Sequence, residues 1–275
     1  MGDRISTVMG GFGRFSVCAS ARPVNAHTHK ELAALFHLGG PTVVIKTDDI
    51  AYPLRQGEML LFDPWHSHAR LARSMEPTCL ATLLISPTWL HSRDDTDAPD
   101  ANGGYFRHSY TRIGDLSGPL DELYALMFDQ PMDQVALIQQ RIVGLIRMLM
   151  HEHGGMVAKG VPPRAAPVDM RVRSAFDRLR QSALHGIKVE NLVVASGMSR
   201  SHFFCQFKRN IGVSPQHVID EERITHALRA LSAPGVMMSQ VANELGFSRP
   251  SHFTRFFVQH LGCTPNQFRR NLVLL

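Results

Sequence analysis

The sequence predicts an α+β chain of two domains, a β-rich N-terminal part and an all-α C-terminal part joined by a linker. Three observations carry this. Apolar residues occur in short β-branched runs before residue 90 and at helical spacing after residue 119. The stretch 154–168 has no period at all. One pattern of Gly, Ser, Arg, His and spaced Phe is written twice near the C-terminus. With 275 residues, 44% of them hydrophobic, each part can bury a core of its own.

Charge divides unevenly. Residues 169–275 hold 14 Lys and Arg against 7 Asp and Glu, whereas residues 1–168 hold 15 against 17. A basic C-terminal third on a near-neutral remainder points either to a module that binds a polyanion or to a solvated basic face. Cys18, Cys79, Cys205 and Cys263 form no C-x-x-C pair, so neither a disulfide framework nor a structural zinc site is expected. No run reaches the roughly 18 apolar residues of a membrane span, and the first twenty residues lack the apolar core of a signal peptide. A cytoplasmic protein with no membrane partner is expected. The opening MGDRIS fits a myristoylation pattern too short to carry weight.

Between residues 15 and 90, TVVIKT, MLLFDP and CLATLLIS are bounded by GGP, RQGE and Pro-containing turns, as in an all-β sandwich or barrel. Ser92 to Gly104 is acidic, without apolar period, and reads as a loop. From Pro119 the period lengthens: Leu120, Leu123 and Leu126 mark a short helix. Val135, Ile138, Ile142, Leu145 and Leu149 then follow at spacings of 3, 4, 3 and 4, one stripe of a longer helix. That stripe, broadened by Leu137, Val143, Ile146 and Met148, either packs on the β domain or seals a dimer; a dimer seam is the expectation. Residues 154–168 form a linker, and beyond it the chain is expected to be helical to the end. Val172, Ala175, Phe176, Leu179 and Ala183 mark the first of those helices, with Arg171, Arg173, Arg178 and Arg180 largely off its apolar face.

The repeated units are GMSRSHFFCQFKRNIGVSP, from Gly197, and GFSRPSHFTRFFVQHLGCTP, from Gly246. Each joins a short helix, a Gly turn and a second helix, which Ser199 or Ser248 is placed to cap. Phe203 and Phe207, like Phe253 and Phe257, lie four apart and anchor one face. The opposite faces carry Arg200, Ser201, Cys205, Lys208 and Arg209 in one copy, and Arg249, Ser251, Thr254 and Arg255 in the other. A helix of this kind fits the major groove of B-DNA, with basic flanks on phosphate. Two copies on a rigid connector reach successive turns of the groove, about 34 Å apart. Ser214 to Ser232, with Pro215 early in the helix, is that connector and spans roughly 27 Å at 1.5 Å per residue.

Residues 170–272 resemble the DNA-binding domain of the AraC/XylS family of bacterial transcription regulators, most specifically in VANELGFSRPSHFTRFFVQHLGCTPNQFRR. Even the extra Pro250 of the second copy matches. The resemblance implies seven helices with two helix-turn-helix motifs, double-stranded DNA as partner, and activation through RNA polymerase. Carried over position by position, it puts Ser201, Phe204 and Cys205, then Ser251, Thr254 and Arg255, at base edges. Arg200, His202, Lys208, Arg249 and His252 flank them on phosphate, and Arg209 shares the outer face. Two positions depart from the family. Phe204 and Cys205 can touch a thymine methyl but make no bidentate hydrogen bond, so the first helix is expected to specify less; Val193 stands where a small Ala is usual, as at Ala242.

Over residues 15–115 the layout resembles, more weakly, the cupin-like ligand-binding domain that precedes this DNA-binding domain in many members. AHTHKEL, the glycines of LGG, and GEMLLFDPWHSHARL with Gly57, Pro64 and His68 carry the likeness. It implies a cupin-like β-barrel at 1–115, a helical dimerisation segment at 116–153 in a homodimer, the linker at 154–168 and the DNA-binding domain at 169–275. Alternation along a strand puts His27 beside His29, and His66 beside His68. Three uses stay open: a metal-free pocket for a small polar or anionic effector, lined by His27, His29, Glu31, Trp65, His66 and His68; the metal centre of a cupin enzyme; or structural histidines in a domain that serves to dimerise. The cupin metal motif wants a carboxylate four or five residues after the second His, where Ala33 and Ala34 stand. No metal, no cofactor and no enzymatic activity are therefore expected. The expected function is an effector-controlled DNA-binding activator; the rivals are a cupin oxygenase or isomerase anchored to DNA and a regulator gated by a partner protein.

Overall fold

The structure, a computed structural model, describes residues 4–47, 50–71, 74–92, 105–106, 109–128, 134–154, 169–183 and 188–275. Most of the acidic loop and all but the first residue of the linker named above lie outside these. The N-terminal part contains β1 (Arg4–Gly10), β2 (Gly13–Ser20), β3 (Val24–His27), β4 (Leu32–Gly39), β5 (Val43–Thr47), β6 (Ile50–Leu54), β7 (Glu58–Phe62), β8 (His68–Leu71), β9 (Thr78–Ile85), a short α1 (Pro87–His91) and β10 (Tyr110–Arg112). One sheet runs β10-β7-β4-β9-β2-β1 and the other β3-β8-β5-β6. The β-rich expectation for this part holds, with the short α1 as an addition to it.

The burial of β4 shows why these strands read as apolar runs and not as alternating ones. Leu32, Ala34 and Phe36 face one core, while Ala33 and Leu35 face another that also holds Ile45 and Leu54 of the second sheet. A strand covered on both faces has no polar side to show. The cover over the first face is helical: α2 (Ser117–Phe128) and α3 (Val135–His153) lay Leu120, Leu123, Ile138, Ile142, Leu145 and Leu149 onto the same core. Arg141 of α3 also pairs with Glu122 of α2 at 2.9 Å on the surface.

This placement corrects the expected dimer seam. Ile138, Ile142, Leu145 and Leu149 are at most 1% exposed within a single chain, and Val135 is half-buried against the same core. The stripe closes the sheet of its own chain because that sheet presents a wide apolar face with nothing else to cover it. The outward face of α3 carries Gln139, Gln140, Arg141 and Arg147 instead.

The C-terminal part has seven helices among the described residues: α4 (Met170–Ser182), α5 (Val189–Ser196), α6 (Arg200–Ile211), α7 (Pro215–Ser232), α8 (Met238–Glu244), α9 (Pro250–Leu261) and α10 (Pro265–Arg270). They enclose two cores. Phe203 and Phe207 centre the first, with Phe176, Leu192, Val218 and Ile219; Phe253 and Phe257 centre the second, with Ile224, Leu228, Leu231 and Phe268. Helix α7 contributes to both, the first through its N-terminal half and the second through its C-terminal half. The segment expected to connect the motifs, which forms the 18-residue α7, is thus shared structure. Gly197, with φ of 66°, makes the left-handed turn of the first motif, a conformation in which a Cβ is strained.

Two expectations fail here. Ser199 caps α6 by accepting from His202 N, but the cap position of α9 is Arg249, which forms no side-chain cap bond. Pro250 takes the first helical position and pushes Ser248 one residue outside, where its hydroxyl meets His252 Nδ1 at 3.2 Å. Nor is the chain helical to the end: Leu272–Leu274 forms β11, which pairs parallel to β1 with Val273 opposite Val8. Thr7 N donates to Asn271 O at 2.9 Å, Leu275 N donates to Met9 O at 2.9 Å, and Val273 is buried in the β-domain core. No described helix is long and apolar enough to cross a membrane.

Leu145→Ala should lower the urea-unfolding stability by about 2–5 kcal/mol. The loss should not depend on protein concentration; a concentration-dependent loss would restore the seam between copies.

Candidate nucleic-acid interface and interdomain cavity

The outer face of α6 presents Arg200, Ser201, His202, Cys205, Lys208 and Arg209 to solvent, and that of α9 presents Arg249, Ser251, His252 and Arg255. Both follow from the Phe pairs: once positions four apart are buried, the remaining surface of each helix must face water. Two of the expected base-facing residues are less available. Phe204 is half-buried, with its ring edge-on to Phe203 at 5.8 Å and the Arg200 guanidinium over it at 5.3 Å. Thr254 is half-buried and spends its hydroxyl on Pro250 O at 3.1 Å. Arg200 also pairs with Glu190 at 2.8 Å, and that pairing lowers the Glu190 carboxyl below its ordinary value. An exposed pair of this kind is weak, so a phosphate can displace Glu190.

The β domain touches both helical cores. Trp65, with φ of 67°, sets its ring edge-on to Phe176 at 5.4 Å in the first. Ile5 of β1 belongs to the second. Between these contacts lies a cavity of about 270 Å³, walled on the β side by Arg14, Thr28, Lys30 and Glu31 and on the helical side by His217, Asp220, Glu221, Thr225 and His260. A neighbouring cavity of about 120 Å³ shares Arg14, His27, His29 and His260 with it and adds Phe62, His68 and Arg70.

Of the six expected pocket residues, His27, His29 and Glu31 line the larger cavity, and His27, His29 and His68 the smaller. Trp65 and His66 do not line either. Trp65 is drawn to the first helical core by its apolar ring, and His66 lies edge-on to Phe62 at 5.6 Å. The structure brings together what the sequence left undecided: one ring nitrogen from each of His27, His29 and His68 lies within 4.8 Å of the others. Each ring places Nδ1 on a backbone carbonyl, His27 on Asn25 at 2.9 Å, His29 on Glu31 at 3.1 Å and His68 on His66 at 3.0 Å. A carbonyl only accepts, so Nδ1 carries the proton and Nε2 keeps a bare lone pair. Burial first and neighbouring imidazoles second push His29 and His68 down to about 3, and His27 well below its ordinary value.

Arg14, Glu221, His217 and His260 were not read from the sequence as site residues, because they arrive from β2, α7 and α9. Only Glu221 left a trace there, as an acid at helical spacing between Val218 and Leu228. Among the described residues the Nε of Arg14 has no hydrogen-bond partner, and burial works against its charge while Glu31 and Glu221 favour it. Glu221 is 7% exposed and accepts from Thr225 Oγ1 at 3.2 Å. Burial and then the Glu31 charge raise its carboxyl well above its ordinary value of 4.5.

Because folding raises this carboxyl, its contribution to stability is present below pH 4.5 and is lost as pH climbs through the folded value. Glu221→Gln carries no charge at any pH. Its urea midpoint, relative to wild type, should rise between about pH 5 and 8; a difference flat in pH would contradict the buried placement.

Comparison with known proteins follows the same geometry. Residues 192–271 match a family model described as a helix-turn-helix domain. The lactose operon transcription activator of Staphylococcus xylosus is 25% identical over 104 residues, 38% of this chain and 37% of that protein. The arabinose operon regulatory protein of Escherichia coli is 23% identical over 232 residues, 82% of this chain and 76% of that protein. The chain thus aligns with little more than a third of the first relative's length. Among solved structures, ToxT from Vibrio cholerae with unsaturated fatty acid bound superposes with a TM-score of 0.52 at 12% identity, covering 98% of this chain and 95% of ToxT, a likeness of fold. On its two helix-turn-helix units and these relatives, the C-terminal part of the chain is similar to the DNA-binding domains of AraC/XylS-type transcription regulators.

Proposed function

We propose that this chain activates transcription from specific duplex sites, reading DNA with α6 and α9 and responding to a small polar or anionic effector held in the interdomain cavity. One observation carries the reading: α7, which is built into both helical cores, also forms a wall of the cavity through Asp220, Glu221 and Thr225. An effector that fills the space between this wall and Arg14 acts on the element that sets the spacing of the two recognition helices. To switch the protein it must favour one arrangement by a few kcal/mol. The unpartnered Nε of Arg14 supports an effector with an acceptor group, a carboxylate or similar anion. The bound fatty acid of ToxT supports a ligand in a protein of this fold. Activation is supported by the lactose relative, itself a transcription activator.

Arg255→Ala should weaken binding to the cognate site by about 1–3 kcal/mol and relax specificity at one base pair, while Lys208→Ala weakens cognate and random duplexes alike. Equal losses on both duplexes for the Arg255 variant would remove it from the base-reading set. A thermal-shift screen of small carboxylates tests the sensor half. A ligand at a hundred times its dissociation constant should add about 2.7 kcal/mol to wild type. Arg14→Ala should lose most of that gain, and an undiminished gain in the variant would place the effector elsewhere.

A further inference from the structure

The three histidines that meet in the β domain are arranged for something other than each other. With Nδ1 of each ring donating to a backbone carbonyl, their remaining nitrogens are all acceptors, and no ring can donate to its neighbour. The three rings meet with one nitrogen of each within 4.8 Å of the others, and none of the Nε2 atoms carries a proton. Such a cluster is satisfied by an electrophile. We propose that His27, His29 and His68 bind one divalent transition-metal ion through their Nε2 atoms.

The geometry around the cluster is that of ligands held in place. An imidazole that ligates a metal characteristically gives its other N–H to a carbonyl or carboxylate, which fixes the ring and its tautomer; all three rings do so here. His27 and His68 are also paired across β3 and β8, and the Phe62 ring is stacked on His68 at 4.5 Å with planes 5° apart. Around an ion with metal–nitrogen bonds of about 2.0–2.1 Å, tetrahedral donors stand about 3.3 Å apart. One nitrogen of each ring already lies within 4.8 Å of the others, so side-chain rotations can bring the three Nε2 atoms to that spacing. Imidazole donors without oxygen ligands select zinc, cobalt, nickel, copper or iron over magnesium and calcium.

The absence of a carboxylate from the trio, which argued from the sequence against a metal, sets the character of the site instead. Three neutral ligands leave the ion its full charge and an open coordination position. The three histidines line the smaller cavity together with Arg14. The bound ion would tie β3 to β8 where β3 meets α9 and the side chain of Val24 lies against Gly262. This inference stands on the histidines alone, so its failure would leave the reading of the DNA-binding helices and the effector untouched.

The test uses tag-free full-length protein stripped with a chelator and titrated with cobalt(II). Visible absorption should report one tightly bound ion per chain, displaced by one equivalent of zinc. His27→Gln and His68→Gln should each weaken cobalt binding at least about tenfold. His91→Gln, which alters a histidine outside the trio, should bind as wild type does. Absence of stoichiometric uptake, or equal uptake by wild type and both trio variants, would overturn the site. Should either variant fail to fold, wild type decides: a rise in unfolding temperature with one equivalent of cobalt or zinc supports the site, and no rise refutes it.

Discussion

The burial of α7 on three sides at once is the constraint on which the rest of this molecule depends. Val218 and Ile219 belong to the first helical core and Ile224, Leu228 and Leu231 to the second, while Glu221 is turned toward the β domain. Each fully buried aliphatic side chain contributes about 1.5–3 kcal/mol relative to exposure, so the helix cannot shift against one core without strain in the other. The spacing of α6 and α9 is therefore a property of α7. On its β-facing side the helix meets the interdomain cavity through Asp220, Glu221 and Thr225, a polar and incompletely filled contact.

The β domain is built to press on this helix from a fixed base. Its larger sheet is covered on one face by the second sheet and on the other by α2 and α3, so that β4 is apolar along most of its length. From that base Trp65 reaches the first helical core, and β1 takes β11 from beyond the second as a neighbour. Backbone hydrogen bonds and the burial of Val273 hold this last contact. A parallel strand pair between the first and last elements closes the chain on itself, and the two helix-turn-helix units are held to the β domain at different points.

Charge is distributed so that the outer faces and the interior do different work. On α6 and α9 the arginines and the lysine stand in water, where the Arg200–Glu190 pair is weak enough to exchange for phosphate. Inside, desolvation governs: Glu221 is driven toward its neutral form, the three histidines are held neutral, and Arg14 keeps an unsatisfied Nε beside them. Groups of this kind are costly to leave without partners, and they gather where the two domains face one another.

What the sequence determined by itself is the part of the protein governed by local rules. Phe pairs four apart, Ser199 before its helix, Pro215 at a helix start and the doubled turn glycines each follow from bonds made within a few residues, and together they specified the two motifs and their outer faces. The β runs were legible for the same reason. The tertiary structure decided what depends on contacts between distant segments: that the stripe of α3 covers its own sheet and not a second copy, that Trp65 leaves the pocket for Phe176, that β11 joins β1, and that Arg14 and Glu221 share a cavity. A periodic apolar stripe records that a face is buried but not against what, because burial free energy is non-directional. Likewise, spacing along the chain placed His27 and His29 near each other, but only the pairing of β3 with β8 brought His68 to them.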